Sequence, residues 1–282
     1  MSAMLSENRY GKSGIRLVKV IRRRERHEIR DWTVAVALEG DFAAAHERGD
    51  NARVLPTDTM KNTVYAMASE DPLDSMESFG LALSRHFLES PPLPSRVTIS
   101  LEQHPWERIP AAGGPHASAF LRPGGESRLA AVTRTREGAR IEAGLEGLTI
   151  LKSAASAFAG FLRDRFTTLR DATDRIFATS VSARWLYSGG TDLAWELLAR
   201  AIRGTLLETF ADHDSASVQH TLDAMGEAVL ERHAEVGEIR LTLPNKHHIP
   251  VDLNPFGLEN RNEIFVATEE PYGRIEATLR RG

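Results

Sequence analysis

The chain of 282 residues contains no cysteine. Disulfides, thiolate nucleophiles and thiolate metal sites are therefore excluded, and a reducing cytoplasm is the expected setting. No apolar run approaches the roughly 20 residues that span a bilayer, so no membrane segment is expected. The N-terminal run MSAMLSENRY lacks a charged-then-apolar signal pattern, and the final Leu279-Arg280-Arg281-Gly282 is not a Ser-Lys-Leu type address. A formal net charge of -4 and a pI near 6.2 argue against a chain built to hold nucleic acid. Several motifs are missing too. The sequence has no G-x-x-x-x-G-K-[ST], no H-E-x-x-H and no G-x-S-x-G. Its 10 histidines are scattered. The adjacent His247 and His248, if on a strand, point to opposite faces and cannot share one metal. No metal site is expected.

What is present is a globular pattern, with 41% hydrophobic and 26% charged residues. Residues 31–39 alternate cleanly, Trp32, Val34, Val36 and Leu38 facing one way. With residues 13–22 they predict an antiparallel hairpin whose tip carries Arg22-Arg23-Arg24-Glu25-Arg26, a solvated turn with some capacity to attract anions. A helix is predicted from Thr57 or Asp58, either of which can cap it, with Met60, Val64 and Met67 on its apolar stripe. A second helix opens at Asp74-x-x-Glu77, resembling a capping box, and carries Met76, Phe79, Leu83 and Phe87. Strands are predicted near 95–102 and 127–136. The Pro/Gly-rich stretch 105–125 between them reads as a loop with a short strand at 117–122.

The second half repeats the order. Strands are predicted at 140–152 and 175–187, helices at 191–211 and 215–233, and closing strands at 236–243 and 262–268. Both halves read β-β-α-α-β-β, which makes the chain α+β, with modules 1–138 and 139–282. Each antiparallel sheet keeps its helices on one face. The other face needs cover, which favours a closed oligomeric barrel.

Six polar segments occur in order: Asn8-Arg9-Tyr10-Gly11-Lys12-Ser13-Gly14, VLPTDTMKN over 54–62, Phe158-Ala159-Gly160-Phe161-Leu162-Arg163-Asp164, Asp174-Arg175-Ile176, Ser217-Val218-Gln219 and Pro244-Asn245-Lys246-His247. Taken singly, Lys12 reads as a surface lysine, Thr57 as a helix cap and Phe158 as core. Arg175 reads as a strand residue in an ion pair, Gln219 as a helix-start polar residue and His247 as an ordinary strand or loop histidine. Together, across residues 8–270, the segments resemble the signatures of the urate oxidases, or uricases.

That resemblance implies two tandem tunnelling-fold modules, each a four-stranded antiparallel sheet with two helices on one face. It also implies a homotetramer enclosing a β-barrel tunnel, with active sites at subunit interfaces. The partners implied are urate and O2, with no cofactor. Urate is flat, anionic and edged by amide-like groups. Arg175 can offer a planar fork, Gln219 can donate and accept at the opposite edge, and Phe158 can stack on the ring. Val218 can offer a backbone N–H at a helix start. Lys12, Thr57 and His247 are the implied proton relay, with Lys12 as base at a depressed pKa. Asn245 is placed to hold O2, peroxide or water above the ring. Asp58 would orient the substrate from the neighbouring subunit, which also supplies Thr57. A thiol-free chain suits an enzyme that releases peroxide. Two departures from the family pattern are His248-Ile249-Pro250 after His247 and Thr173 in place of Trp before Asp174. Two alternatives remain open: another purine- or pterin-handling enzyme of the same fold, and a purine-binding protein without catalysis.

Overall fold

The computed structural model describes residues 4–282. The chain divides into two compact units, Met1–Gly144 with Leu186–Leu197, and Leu145–Trp185 with Leu198–Gly282. Both are α+β with antiparallel sheets.

In the first unit, β1 (Tyr10–Arg22) and β2 (His27–Glu39) form the expected hairpin. A six-residue helix, α1 (Ala43–Arg48), follows. The longer helices are α2 (Thr57–Glu70) and α3 (Met76–Glu89). Then come β3 (Arg96–Gln103), β4 (Glu107–Ala111), β5 (Gly114–Leu121), β6 (Ser127–Thr135) and β7 (Gly138–Lys152), which enters the second unit at Leu145. The sheet order is β1-β2-β3-β6. Period-two alternation puts Trp32, Val34, Val36 and Leu38 of β2, with Val97, Ile99 and Leu101 of β3, into the core beneath Met60, Val64, Met76, Phe79, Leu83 and Phe87. Burying each such side chain contributes about 1.5–3 kcal/mol.

The second unit holds the rest of β7, most of β8 (Phe177–Tyr187) and α4 (Trp195–Asp212), then α5 (Val218–Arg232) and β9 (Val236–Lys246). β10 (His248–Pro250), β11 (Phe265–Ala267) and β12 (Gly273–Arg280) close the chain. Here the sheet order is β7-β8-β9-β12. Phe177, Thr179, Val181, Ala183, Trp185 and Tyr187 all lie on the buried face of β8. Ile202, Leu206 and Phe210 of α4 are buried as well, with Leu222, Met225 and Val229 of α5.

Four local expectations are corrected. Neither Thr57 nor Asp58 caps α2. The N-cap position is Pro56, whose extended backbone (φ -55, ψ 136) precedes a first turn in which Asp58 instead accepts from Lys61 and Asn62. Glu77 is no capping-box partner. Ser75 caps α3, accepting from Ser78 N at 3.0 Å, so Glu77 turns inward. The 105–125 stretch forms a two-strand hairpin, β4 with β5, because Arg108 donates to the carbonyls of His27, His116 and Ala117. The closing strand is β12. It pairs with β9 from Gly273↔Asn245 to Arg280↔Glu238, while the expected 262–268 strand shrinks to β11 and pairs only with β10. Leu279 of β12 fills the space above Gly226, and this packing outweighs the alternation read in 262–268.

Glu77 is fully buried and bonds Arg128 at 2.6 Å. Arg128 also binds Glu196. Burial pushes the Glu77 carboxyl up, while the Arg128 guanidinium pulls it down. Replacing Arg128 by Met should therefore cost about 3–5 kcal/mol at neutral pH, since it strands a buried charge. A raised carboxyl pKa favours the folded state below that pKa and penalises it above. The deficit should thus shrink as pH falls. Denaturant unfolding of both proteins across pH checks this, and a deficit that does not change with pH would contradict it.

Candidate active site

In the second unit, three stretches of chain are laced by backbone bonds. Arg175 N donates to Ser156 O at 2.8 Å, and Ala157 N to Ser215 O at 2.7 Å. Phe158 and Ala172 exchange both bonds, at 2.8 and 2.9 Å. The Asp174 carboxylate accepts from Ser156 N at 3.2 Å. Such lacing fixes side chains more tightly than a free loop could.

Its product is a cation over an aromatic ring. The Arg175 guanidinium carbon lies 5.2 Å from the centre of the Phe158 ring, which stacks on Phe161 at 4.9 Å. Burial holds the Arg175 pKa below the usual guanidinium value, although it remains a cation. Its Nε is buried and has no partner among the described residues. A half-buried guanidinium with an unspent donor is equipped to bind a planar acceptor edge.

Ser215 leads directly into α5. Ser217 caps this helix, accepting from His220 N at 3.1 Å. Val218 and Gln219 are the next two residues, Val218 buried and Gln219 exposed. First-turn amides have no partner inside the helix and favour negative charge. Phe158, Arg175, Val218 and Gln219 thus stand on segments that are bonded to one another. Asn245 is half-buried at the end of β9, opposite Gly273. His247 lies not on a strand but in the link between β9 and β10, its carbonyl accepting from Thr268 N at 2.9 Å. Among the described residues, no side-chain bond joins Asn245 or His247 to Arg175 or Gln219.

Lys12, Thr57 and Asp58 belong to the first unit. There the Tyr10 hydroxyl accepts from Leu55 N at 2.9 Å, tying β1 to the entrance of α2. Tyr65 of α2 returns a bond to Arg16 O at 3.1 Å. Asp58 is exposed, and its carboxylate is held below its usual pKa chiefly by the bond from Lys61, with a smaller pull from Lys12. The Tyr10 clasp thus ties the strand that carries Lys12 to the entrance of α2. Two glycines aim Lys12. Gly14 takes a left-handed φ of +69 in the bulge between the Lys12 and Ile15 pairings. Gly11 lies so close to β2 that an added Cβ would sit 1.9 Å from Val36 O.

Sequence reasoning missed the Tyr10 clasp, because the strand it predicted began at residue 13 and left Tyr10 outside. A cavity of about 1080 Å³ lies in the first unit against Arg9, Glu39, Arg96 and Arg136 and touches none of these residues. Its charges are mixed, so it offers a ligand no consistent field. Gln219 instead borders a smaller recess of about 390 Å³ with Leu222, Asp223 and Ile275.

The family model for uricase matches residues 8–133 and 141–276. The chain belongs to the uricase family. It is 48% identical to the uricase of Arthrobacter globiformis over 278 residues, covering 99% of this chain and 90% of that protein. It is 34% identical to the uricase of Dictyostelium discoideum, covering 99% and 98%. The crystal structure of the Arthrobacter globiformis uricase superposes with a TM-score of 0.95 at 47% identity, over 100% of this chain and 96% of that one. The uricase segments that carry Lys12, Thr57, Arg175 and Gln219 all fall inside the matched residues.

Replacing Gly11 by Ala should cost roughly 1–3 kcal/mol, because the new methyl meets backbone rather than a flexible side chain. It should also displace Lys12. Thermal unfolding and urate turnover check this, and a variant with parental values for both would contradict it.

Proposed function

We propose that this chain is a cofactor-free urate oxidase, converting urate, O2 and water to 5-hydroxyisourate and H2O2. The observation that carries the reading is the Arg175 guanidinium poised over Phe158 beside the Val218–Gln219 helix start. In this reading Phe158 stacks on the purine, Arg175 takes one edge and Gln219 the other. The Val218 amide adds a donor toward the anion. Lys12 takes a proton from bound urate by way of Thr57, and His247 extends the relay. The resulting dianion is electron-rich enough to pass electrons to O2 one at a time. Recombination gives a peroxide adduct at C5, which leaves as H2O2 once protonated. Water held by Asn245, Thr57 and His247 then adds at C5.

The binding residues belong to one unit and Lys12, Thr57 and Asp58 to the other. This division supports a site assembled from two chains of a cytoplasmic homotetramer, each chain contributing two tunnelling-fold modules, 1–138 and 139–282, to a barrel. The sheet edges β1 and β12 are available for such pairing. So is the 160–170 loop, where Leu162 is 95% and Phe166 73% exposed.

Three outcomes are expected. Urate should be consumed with release of peroxide in chelator-treated buffer. Activity that appears only on adding a metal or flavin would end the cofactor-free reading. Lys12→Met should bind urate nearly as the parent does and lose about a hundredfold or more in kcat; full turnover would remove Lys12 as the base. Inactive Thr57→Ala and inactive Arg175→Ala chains, refolded together, should regain partial activity, because mixed interfaces then contain intact sites. No recovery from verified mixed oligomers would mean that each site is built within one chain.

A further inference from the structure

Lys152, at the end of β7, takes no part in the scheme above. Its ammonium donates to the carbonyl of His213, just past the end of α4, and lies 5.8 Å from the centre of the Phe210 ring. Two carboxylates, Asp214 and Asp174, act on it electrostatically and oppose the lowering of its pKa by burial. Each belongs to a segment that presents purine-binding groups. Asp174 immediately precedes Arg175 and accepts from Ser156 N at 3.2 Å, two residues before Phe158. Asp214 immediately precedes Ser215, which bonds Ala155 and Ala157 and leads into Val218 and Gln219. The His213 ring approaches Thr221 in the first turn of α5 at 3.2 Å and packs against His220 at 4.3 Å.

Lys152 therefore ties the end of β7, three residues before the 155–158 run that holds Phe158 and the backbone partner of Arg175, to the segment that leads into Gln219. Without it, the His213 carbonyl would lose its donor, and Asp174 and Asp214 would lose a nearby counter-charge. Loss of that tie acts directly on the separation of the two segments.

We infer that Lys152 is a positioning residue, setting the spacing between the Arg175–Phe158 and Val218–Gln219 edges and hence the affinity for a planar purine anion. The inference rests on the urate reading and deepens it. A geometric effect on the bound ring appears in affinity. The proton relay, which Lys152 does not touch, governs kcat.

The test compares the full-length parent, Lys152→Met and Lys152→Arg for urate kinetics, binding of xanthine as an unoxidised purine probe, and thermal unfolding. Lys152→Met should raise KM and the xanthine Kd on the order of tenfold, with kcat and Tm close to parental. Lys152→Arg should recover most of the affinity, because it restores a cation of similar reach. Parental affinity in Lys152→Met overturns the inference, as does a fall in kcat with affinity unchanged. If Lys152→Met does not fold, Lys152→Ser, polar but too short to reach the His213 carbonyl, serves in the same assays. It too should lose affinity selectively, and unchanged affinity there overturns the inference. A parent that neither oxidises urate nor binds xanthine removes the functional reading, and this inference with it. An active parent with an unaffected Lys152→Met removes the inference alone.

Discussion

The bond from Arg175 N to Ser156 O is the constraint on which the Arg175–Phe158 arrangement depends. It holds residue 175 beside the strand-like run 155–158, where Phe158 is fixed by its own exchange with Ala172. Ser215 joins the same run from the other side. The guanidinium, the ring and the helix start are therefore positioned by main chain, which has few ways to relax. Their side chains remain unspent. Arg175 keeps a buried donor without a partner among the described residues, and Gln219 is exposed. A surface that forgoes internal bonds in this way is kept ready for a ligand with matching groups.

The first unit is arranged differently. Its rigidity comes from close approach rather than from lacing. Gly11 brings β1 against β2 with no room for a Cβ, and Gly14 supplies the left-handed turn of the bulge. Lys12 lies between these two glycines and extends from an edge strand. Elsewhere in this unit, the Glu77–Arg128–Glu196 cluster ties α3, β6 and the start of α4. Buried charges of this kind add little net stability, but they penalise any arrangement that separates them.

Regular elements were legible in the sequence wherever one face is buried. The alternation of β2 and β8 and the stripes of α3 and α5 state their own burial, because burial produces the period. Chain entrances were less legible. Thr57 and Asp58 have the chemistry of caps, yet Pro56 fixes the turn before them. Asp74 and Glu77 match a capping box, but Ser75 is one residue better placed and Arg128 draws Glu77 inward. The β12 strand was invisible for another reason. Its outward positions carry Arg274, Glu276, Thr278 and Arg280, so only its pairing with β9 and the packing of Leu279 on Gly226 define it. The candidate site residues came from the family pattern alone. Arg175, Phe158 and Gln219 share no spacing, and only the fold makes them neighbours. Tyr10 and Lys152 act through partners far away in the chain, Leu55 and His213, which no local pattern reveals.

In the proposed reading, affinity and proton transfer fall to different units, with a mechanistic consequence. A base that belonged to the same rigid lacing as the purine cradle would be held by the same bonds, and tuning one function would disturb the other. In the proposed reading the cradle is set by the 155–158, 172–175 and 213–219 segments, and the lysine by two glycines of β1. Each can be adjusted without strain in the other. In exchange, the proposed reading needs assembly to bring the two together. Leu162, Phe166 and Leu169, which follow the Phe158–Phe161 stack in the chain, are exposed. In a lone chain they are apolar surface facing water, and in the proposed assembly a neighbouring chain would cover them.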